Sequence, residues 1–430
     1  MKNEDSKGFY AEQADLAMED HLIFEYRFES FVDPEEAAAH LCQEQSTAQW
    51  KRVGVDEDLR CQFGAKVIEL TVIDQRETSH YPEMGNEQGP VYSCRVKIAH
   101  PHANFGPKIP NILTAACGEG AFYCPGISVI KLLDITFPDS FLDHFEGPKF
   151  GVQGIRDMLE VYDRPLFFGV VKPNIGLTPE SFAELAYQSW LGGLDIAKDD
   201  EMQGDVDWSP LAERSLLMGK ARRKAEEQTH EKKMYLANIT DEADRLLELH
   251  DMCVKNGANA LMVNAMTVGL SSIRMLRRHT QVPLVAHFDM IAPFTRVPYY
   301  GIDSNVIITL QRMVGFDSII FPGLGARMRT SDQEVLENVE ECLKPAGNLK
   351  PCLPVPAGSQ WAATTLDIHK TLKTIDFGIV PGRGVFEHPM GPKGGAASLR
   401  QAWDAFKKGV TLEEYGKTYK ELKTAIEAFG

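Results

Sequence analysis

The chain has 430 residues, 43% of them hydrophobic and 25% charged, a balance that fits a globular protein and excludes a disordered or fibrous one. Its 61 acidic against 45 basic side chains give a formal net charge of −16, so no broad basic footprint for nucleic acid or an anionic membrane is expected. A small anionic ligand stays compatible with that charge, because local groups decide such binding.

Met1 to Lys7 contain no apolar signal region, and the longest uncharged run, Asn256 to Ile273, is broken by Asn259, Asn264, Thr267 and two serines, so no membrane span is expected. The eight cysteines are scattered without paired C-x-x-C spacing, which reads as a reduced, cytoplasmic protein. Leu22, Phe24, Tyr26 and Phe28 alternate with Glu25, Arg27 and Glu29, the pattern of a strand with one wet face. Cys94, Val96 and Ile98 repeat it around Arg95 and Lys97, and Pro34 to Leu41 reads as a short helix between them. Residues 1–146 are therefore expected to form a small antiparallel α+β domain.

From residue 147 to 430 the pattern changes to short apolar strands separated by helical stretches. Strands are expected at Pro165–Pro173, Leu194–Glu201, Met234–Thr240, Ala260–Met266, Pro283–Phe288, Ser318–Gly323, Cys352–Gly358 and Asp376–Gly384. Eight such units predict a (β/α)8 barrel followed by C-terminal helices. A doubly wound open sheet competes, although no G-x-G-x-x-G follows the first strand. Thr178 and Pro179 open one helix, and Thr240 and Asp241 are expected to open another that stops at Asn256 and Gly257.

Barrel active sites lie at the C-terminal ends of the strands, so polar residues there are the candidates. Lys198 and Asp200 stand two apart, which puts both side chains on one side of an extended chain, with Glu201 at the mouth. Two carboxylates at such an edge suit a hard cation such as Mg²⁺, although the spacing alone favours a salt-bridged lysine with solvated acids. Lys172 follows five apolar residues, as a desolvated acid or base would, or as a lysine snorkelling to water. His287 is a candidate proton shuttle or a core histidine. Gly358 and Ser359, and Gly382, Arg383 and Gly384, end the seventh and eighth strands, where this fold commonly binds phosphate; two glycine turns without ligand are the alternative. His100 and His102 read as a metal pair or a turn.

The stretch Gly192 to Glu201, with Lys172-Pro173 before it and His388-Pro389 near the end, resembles ribulose-1,5-bisphosphate carboxylase/oxygenase (RuBisCO) large chains from about residue 20 to about residue 410. The resemblance implies a ferredoxin-like N-terminal domain, a (β/α)8 barrel, and a homodimer with active sites shared between subunits. It implies that Lys198 reacts with CO2 to give a carbamate and binds Mg²⁺ with Asp200 and Glu201. It further implies that Lys172 transfers protons, that His287 lies near substrate hydroxyls, and that Glu44 and Trp50 belong to the partner's substrate loop.

The departures from the carboxylases are specific. Glu119 stands where they have asparagine, Asn174 replaces the second lysine of their Lys-Pro-Lys motif, and Phe288, Ile291 and Phe321 replace an arginine and two histidines. The loop after the sixth strand offers Arg327 but no lysine, and Ala357, Gly358 and Ser359 replace Ser-Gly-Gly. Such losses remove what stabilises a carboxylated intermediate and the far end of a bisphosphate. This pattern resembles the RuBisCO-like, form IV proteins, and most of all the branch of photosynthetic bacteria linked with sulfur metabolism and oxidative stress. The resemblance implies no CO2 fixation and, instead, Mg²⁺-dependent enolisation or isomerisation of a small phosphorylated sugar-like metabolite, with Lys172, His287 and Glu119 as catalytic candidates. Asn174, Gly358, Ser359, Gly382, Arg383 and Gly384 are the further substrate-binding candidates. A non-catalytic regulatory or binding protein on the same scaffold is the alternative.

Overall fold

A computed structural model describes residues 6–48, 54, 58–81, 90–325 and 328–430. Two compact units form: one contains the chain up to Phe145 with Met290–Leu310 and Ala346–Leu349, the other Glu146–Asp289, Gln311–Pro345 and Lys350–Gly430. A single boundary at residues 146 and 147 remains our proposal for the covalent division into domains.

The first unit is a ferredoxin-like α+β domain. Its strands β1 (His21–Ser30), β2 (Lys66–Arg76), β3 (Val91–Pro101) and β4 (Ile127–Thr136) pair antiparallel in the order β4-β1-β3-β2. The helix Pro34–Glu44 forms where its proline at the first turn suggests, with the Asp33 carboxylate accepting from the Glu35 and Glu36 amides. The alternation in β1 is correct, and the polar face is wet where Arg95 and Lys97 of β3 lie beside it, but not at Glu25 and Glu29. Glu25 and Glu29 are buried because neighbouring groups cover them: Glu25 pairs with Arg95, and Glu29 accepts from Ser79 Oγ at 2.8 Å and the His80 amide at 3.0 Å. Burial by itself raises the carboxyl pKa of Glu29, yet the hydrogen bonds from His80 and Ser79 hold it below the usual value.

A fifth strand, β10 (Gly301–Ile302), extends this sheet by pairing parallel with Lys131 and Leu132. Two residues are too short for a periodic signal, so only tertiary pairing reveals the strand. It brings the buried Lys131 to Asp303 at 2.6 Å and to the carbonyls of Thr295 and Val297.

In the second unit the eight apolar runs become β5 (Leu166–Val170), β6 (Ile196–Lys198), β7 (Met234–Asn238), β8 (Ala260–Val263), β9 (Leu284–Ala286), β11 (Ser318–Pro322), β12 (Leu353–Ala357) and β13 (Gly378–Ile379). Neighbours pair parallel in that order, β13 pairs with β5, and β12 lies beside β13, so the sheet closes as a (β/α)8 barrel. Leu166, Phe168, Val170, Ile196, Leu236, Met262, Val285, Ile320 and Val355 pack together in the core with Val152, Ile155 and Leu159 of the helix Gly151–Leu159. Ile196 lies in that core, so period-two alternation carries Lys198 and Asp200 up the same side of β6 towards its C-terminal end.

The helix expected from Thr240 begins later, at Leu246, and ends as expected at Gly257, whose φ of 114° suits glycine. Thr240 does not cap it because its hydroxyl is engaged elsewhere: it donates to Asn238 Oδ1 at 2.6 Å and accepts from the Asn264 amide at 2.9 Å.

Candidate functional site

At the C-terminal ends of β5 and β6 two lysines and two carboxylates interlock. Lys172 Nζ donates to Asp200 Oδ2 at 2.7 Å and to Asn174 Oδ1 at 2.5 Å. Lys198 Nζ donates to Glu201 Oε2 at 3.0 Å and to the Asp199 carbonyl at 2.8 Å. Lys198 and Asp200 are buried, whereas Lys172 is 30% exposed and Glu201 22% exposed, so the cluster opens to solvent at those two side chains. Burial works against ionisation of Glu201, but the Lys198 ammonium and His287 outweigh it and hold the carboxyl at about 2.

His287 extends the cluster from the end of β9. Its Nε2 lies 3.4 Å from Glu201 Oε2, its Nδ1 3.4 Å from Asp289 Oδ1, and its ring stacks on Phe288. The polar residues at the ends of β7 and β8 brace the same turn. Asn238 Nδ2 donates to the carbonyls of Asp200, Glu201 and Gln203, and Asn264 Nδ2 donates to that of Glu201. Sequence reasoning passed over Asn238 and Asn264, although each is a polar residue closing an apolar strand, the criterion that selected Lys172.

Asp199, between the two inward residues, faces the other way. It is fully buried and accepts from Tyr235 Oη at 3.0 Å, the Asn238 amide at 3.0 Å and Arg214 at 3.4 Å. Burial raises its pKa despite Arg214.

The two glycine loops meet each other. A Cβ on Gly384 would lie 2.7 Å from the Gln360 carbonyl, and one on Gly382 would lie 2.8 Å from Val170 Cγ1 and 3.5 Å from Lys172 Cε, so the loop after β13 touches Lys172. Gly358 and Ser359 both have positive φ, at 135° and 45°. Gln360, also overlooked from the sequence, ties the loops together by donating to the Pro356 carbonyl and accepting from the Val380 amide. Arg383 is placed differently: it is exposed, binds Glu387 at 2.8 Å and lies over the Phe429 ring.

Glu44 and Glu119 belong to the first unit. Glu44 ends the helix Pro34–Glu44, and the next side chain, Gln45, packs beside Gly118 and Gly120 on either side of Glu119. Glu119 accepts from Tyr123 Oη at 2.9 Å. Trp50 and Arg327 lie outside the described residues. His100 and His102 form no metal pair: His100 is buried against Phe24 with neither ring nitrogen hydrogen-bonded, while His102 Nε2 contacts the Glu19 carbonyl.

Residues 151–429 match the RuBisCO large chain catalytic domain, and residues 10–141 match the RuBisCO large chain N-terminal domain. The chain belongs to the RuBisCO large-chain family. It is 59% identical over 427 residues to the ribulose bisphosphate carboxylase-like protein of Chlorobaculum tepidum, covering 99% of this chain and 98% of that one. It is 57% identical over 430 residues to ribulose bisphosphate carboxylase-like protein 2 of Rhodopseudomonas palustris, covering both in full. These relatives fit the branch of photosynthetic bacteria. Among solved structures, the octameric RuBisCO of Pyrococcus horikoshii superposes with a TM-score of 0.89 at 31% identity, covering 98% of this family member and 96% of that chain. Among the described residues, no helix is long and apolar enough to cross a membrane.

Proposed function

We propose that this RuBisCO-like chain abstracts a proton next to a carbonyl of a small phosphorylated sugar-like metabolite, an enolisation or isomerisation without CO2 fixation, and that it acts as a homodimer. The observation that carries this reading is the linked set Lys172, Asp200, Lys198, Glu201 and His287 at one end of the barrel.

The donor set suits Mg²⁺ in one state of Lys198. As ammonium groups, Lys172 and Lys198 balance the Asp200 and Glu201 carboxylates, and Lys198 offers no lone pair. When its neutral amine attacks CO2 and loses a proton, the resulting carbamate turns a cation into a third anionic oxygen ligand, the donor type that Mg²⁺ requires. Asp200, Glu201 and carbamylated Lys198 would then hold the ion. When bound, Mg²⁺ supplies positive charge against the negative charge that develops on the substrate oxygens.

The chain's own residues do the rest. Lys172 Nζ, held by Asn174 Oδ1, takes the carbon-bound proton from its neutral form. His287 Nε2 holds a substrate hydroxyl beside Glu201. Gly358, Ser359, Gly382 and Gly384 let backbone approach a phosphate, while Arg383 guards the outer side of that loop. Glu44, Trp50 and Glu119 of a second copy complete the site, with Glu119 as a competing base. The substrate class fits sulfur metabolism or an oxidative-stress response in the cytoplasm.

The test is Mg²⁺-dependent exchange of a substrate C–H in D2O across a panel of ketose phosphates. Exchange by the wild type and its loss in Lys172→Ala and Lys198→Ala are expected. Wild-type inertness, unchanged variants, or fixation of CO2 onto ribulose bisphosphate would sink the proposal. The mutual neutralisation of both lysines and both carboxylates favours a second reading, a non-catalytic regulatory or binding protein. Mg²⁺ titration with and without CO2 separates the two, since a binder of that kind takes up no Mg²⁺ in either case.

A further inference from the structure

Away from the barrel mouth, the helices Leu246–Asn256 and Leu270–His279 bring together three side chains that the chemistry above leaves unused. His250 Nδ1 lies 2.8 Å from Asp251 Oδ1, and His279 Nε2 lies 2.7 Å from the same oxygen. One ligand atom from each residue lies within 4.8 Å of the other two, and the imidazoles meet edge to face. We propose that His250, Asp251 and His279 form a second metal site, selective for a borderline divalent cation such as Zn²⁺ over Mg²⁺.

Two imidazole nitrogens and one carboxylate oxygen are a donor set that suits Zn²⁺ and its neighbours, whereas Mg²⁺ favours oxygen alone. Asp251 and His279 are exposed, so water can complete the coordination. His250 is buried and fixed from behind, with Nε2 2.7 Å from Thr280 Oγ1. The Thr280 hydroxyl faces the Val282 carbonyl at 3.4 Å and accepts from the Val282 amide at 3.2 Å. With its hydrogen on the Val282 carbonyl, Thr280 accepts from His250 Nε2–H and leaves the Nδ1 lone pair directed at the site, the outer support that metal-binding histidines use.

Charge points the same way. Among the described residues Asp251 pairs only with the two histidines, while the adjacent Arg277 and Arg278 are engaged by Asp317 and Glu146. His279 is the last residue of its helix, where the backbone dipole favours a cation. The 2.7 and 2.8 Å contacts are tighter than the about 3.3 Å between ligands on a tetrahedral ion with bonds near 2.0 Å. Asp251, 65% exposed, has room to swing outward and admit it.

Co²⁺ added to the full chain in excess Mg²⁺ tests this. The wild type is expected to take up one equivalent of Co²⁺ with the visible absorption of a nitrogen-ligated ion of low coordination number. His279→Ala and Asp251→Asn, both at exposed positions, are expected to weaken that uptake at least about tenfold, while Lys198→Ala retains it. Absence of the band, unchanged uptake in His279→Ala and Asp251→Asn, or loss of the band in Lys198→Ala would overturn the proposal.

Discussion

Replacing Asp195 by asparagine tests how the barrel holds β6 in place. Asp195 immediately precedes that strand, 1% exposed, and receives both arms of Arg164 at 2.6 Å, the Phe167 amide at 2.8 Å and Arg400 at 3.3 Å. Asparagine keeps the shape but takes from Arg164, itself 5% exposed, its one bonded carboxylate; among the described residues its side chain otherwise meets the Pro165 carbonyl and the Phe167 ring, with Glu231 and Asp163 acting at longer range. Breaking a buried pair in this way costs about 3–5 kcal/mol.

Titration gives a second route to the magnitude. Burial opposes ionisation of Asp195, but Arg164 first, then Arg400 and Lys233, hold its pKa at about 2. Against an ordinary aspartate near 3.9, that amounts to about 3 kcal/mol of stability at neutral pH. A depressed carboxyl stabilises above its unfolded pKa, and the contribution disappears as pH falls through the folded one; about half is left at pH 3. Urea unfolding of wild type and Asp195→Asn at pH 7 and pH 3 measures both effects. The variant is expected to unfold at clearly lower urea at pH 7, with the gap narrowing at pH 3. Equal midpoints at pH 7, or a gap that does not narrow, would refute the reasoning.

His100→Leu is expected to stabilise the first unit by about 1 kcal/mol, because burial leaves both ring nitrogens unbonded and pushes the imidazole down to about 3. Since the unfolded histidine binds a proton between its ordinary pKa and that value, the variant should also lose less stability between pH 6.5 and pH 3; an unchanged acid profile by urea unfolding would contradict this. Gly382→Ala brings a methyl against Val170 and Lys172, and Gly384→Ala brings one against the Gln360 carbonyl. Both should lose about 1–3 kcal/mol and both should lower D2O exchange, Gly382→Ala the more, because its methyl alone also reaches Lys172. Equal losses of exchange in the two would show that contact with Lys172 is irrelevant.

The barrel strands were legible because each is a compact apolar run, and eight of them favoured closure over an open doubly wound sheet, which only the pairing of β13 with β5 decides. The strand ends Lys172 and Lys198 were legible for the same reason: a charge after an apolar run is conspicuous. Glu25 and Glu29 misled, because period-two alternation reports which residues share a face and not whether another layer covers the polar one. β10 left no trace, since two residues cannot show a period. Thr240 carried a cap-like pattern that its bonds to Asn238 and Asn264 override, and no local rule registers partners on neighbouring strands. Arg383 looked like a phosphate ligand by position, and folding pairs it with Glu387, one helical turn on, at an exposed position that the sequence alone does not show. His250 and His279 lie 29 residues apart in different helices, and only folding makes them neighbours.

The end of β6 separates two duties within single-residue steps. Asp199 anchors the scaffold through Arg214 and Tyr235, while Lys198 and Asp200 on either side bond to Glu201 and Lys172 at the mouth. Selection can therefore rewrite one face of this segment while the other stays under constraint from folding. Substitutions that reshape the mouth at Lys198 or Asp200 can thus leave the Asp199 anchor, and with it the seat of the strand, intact.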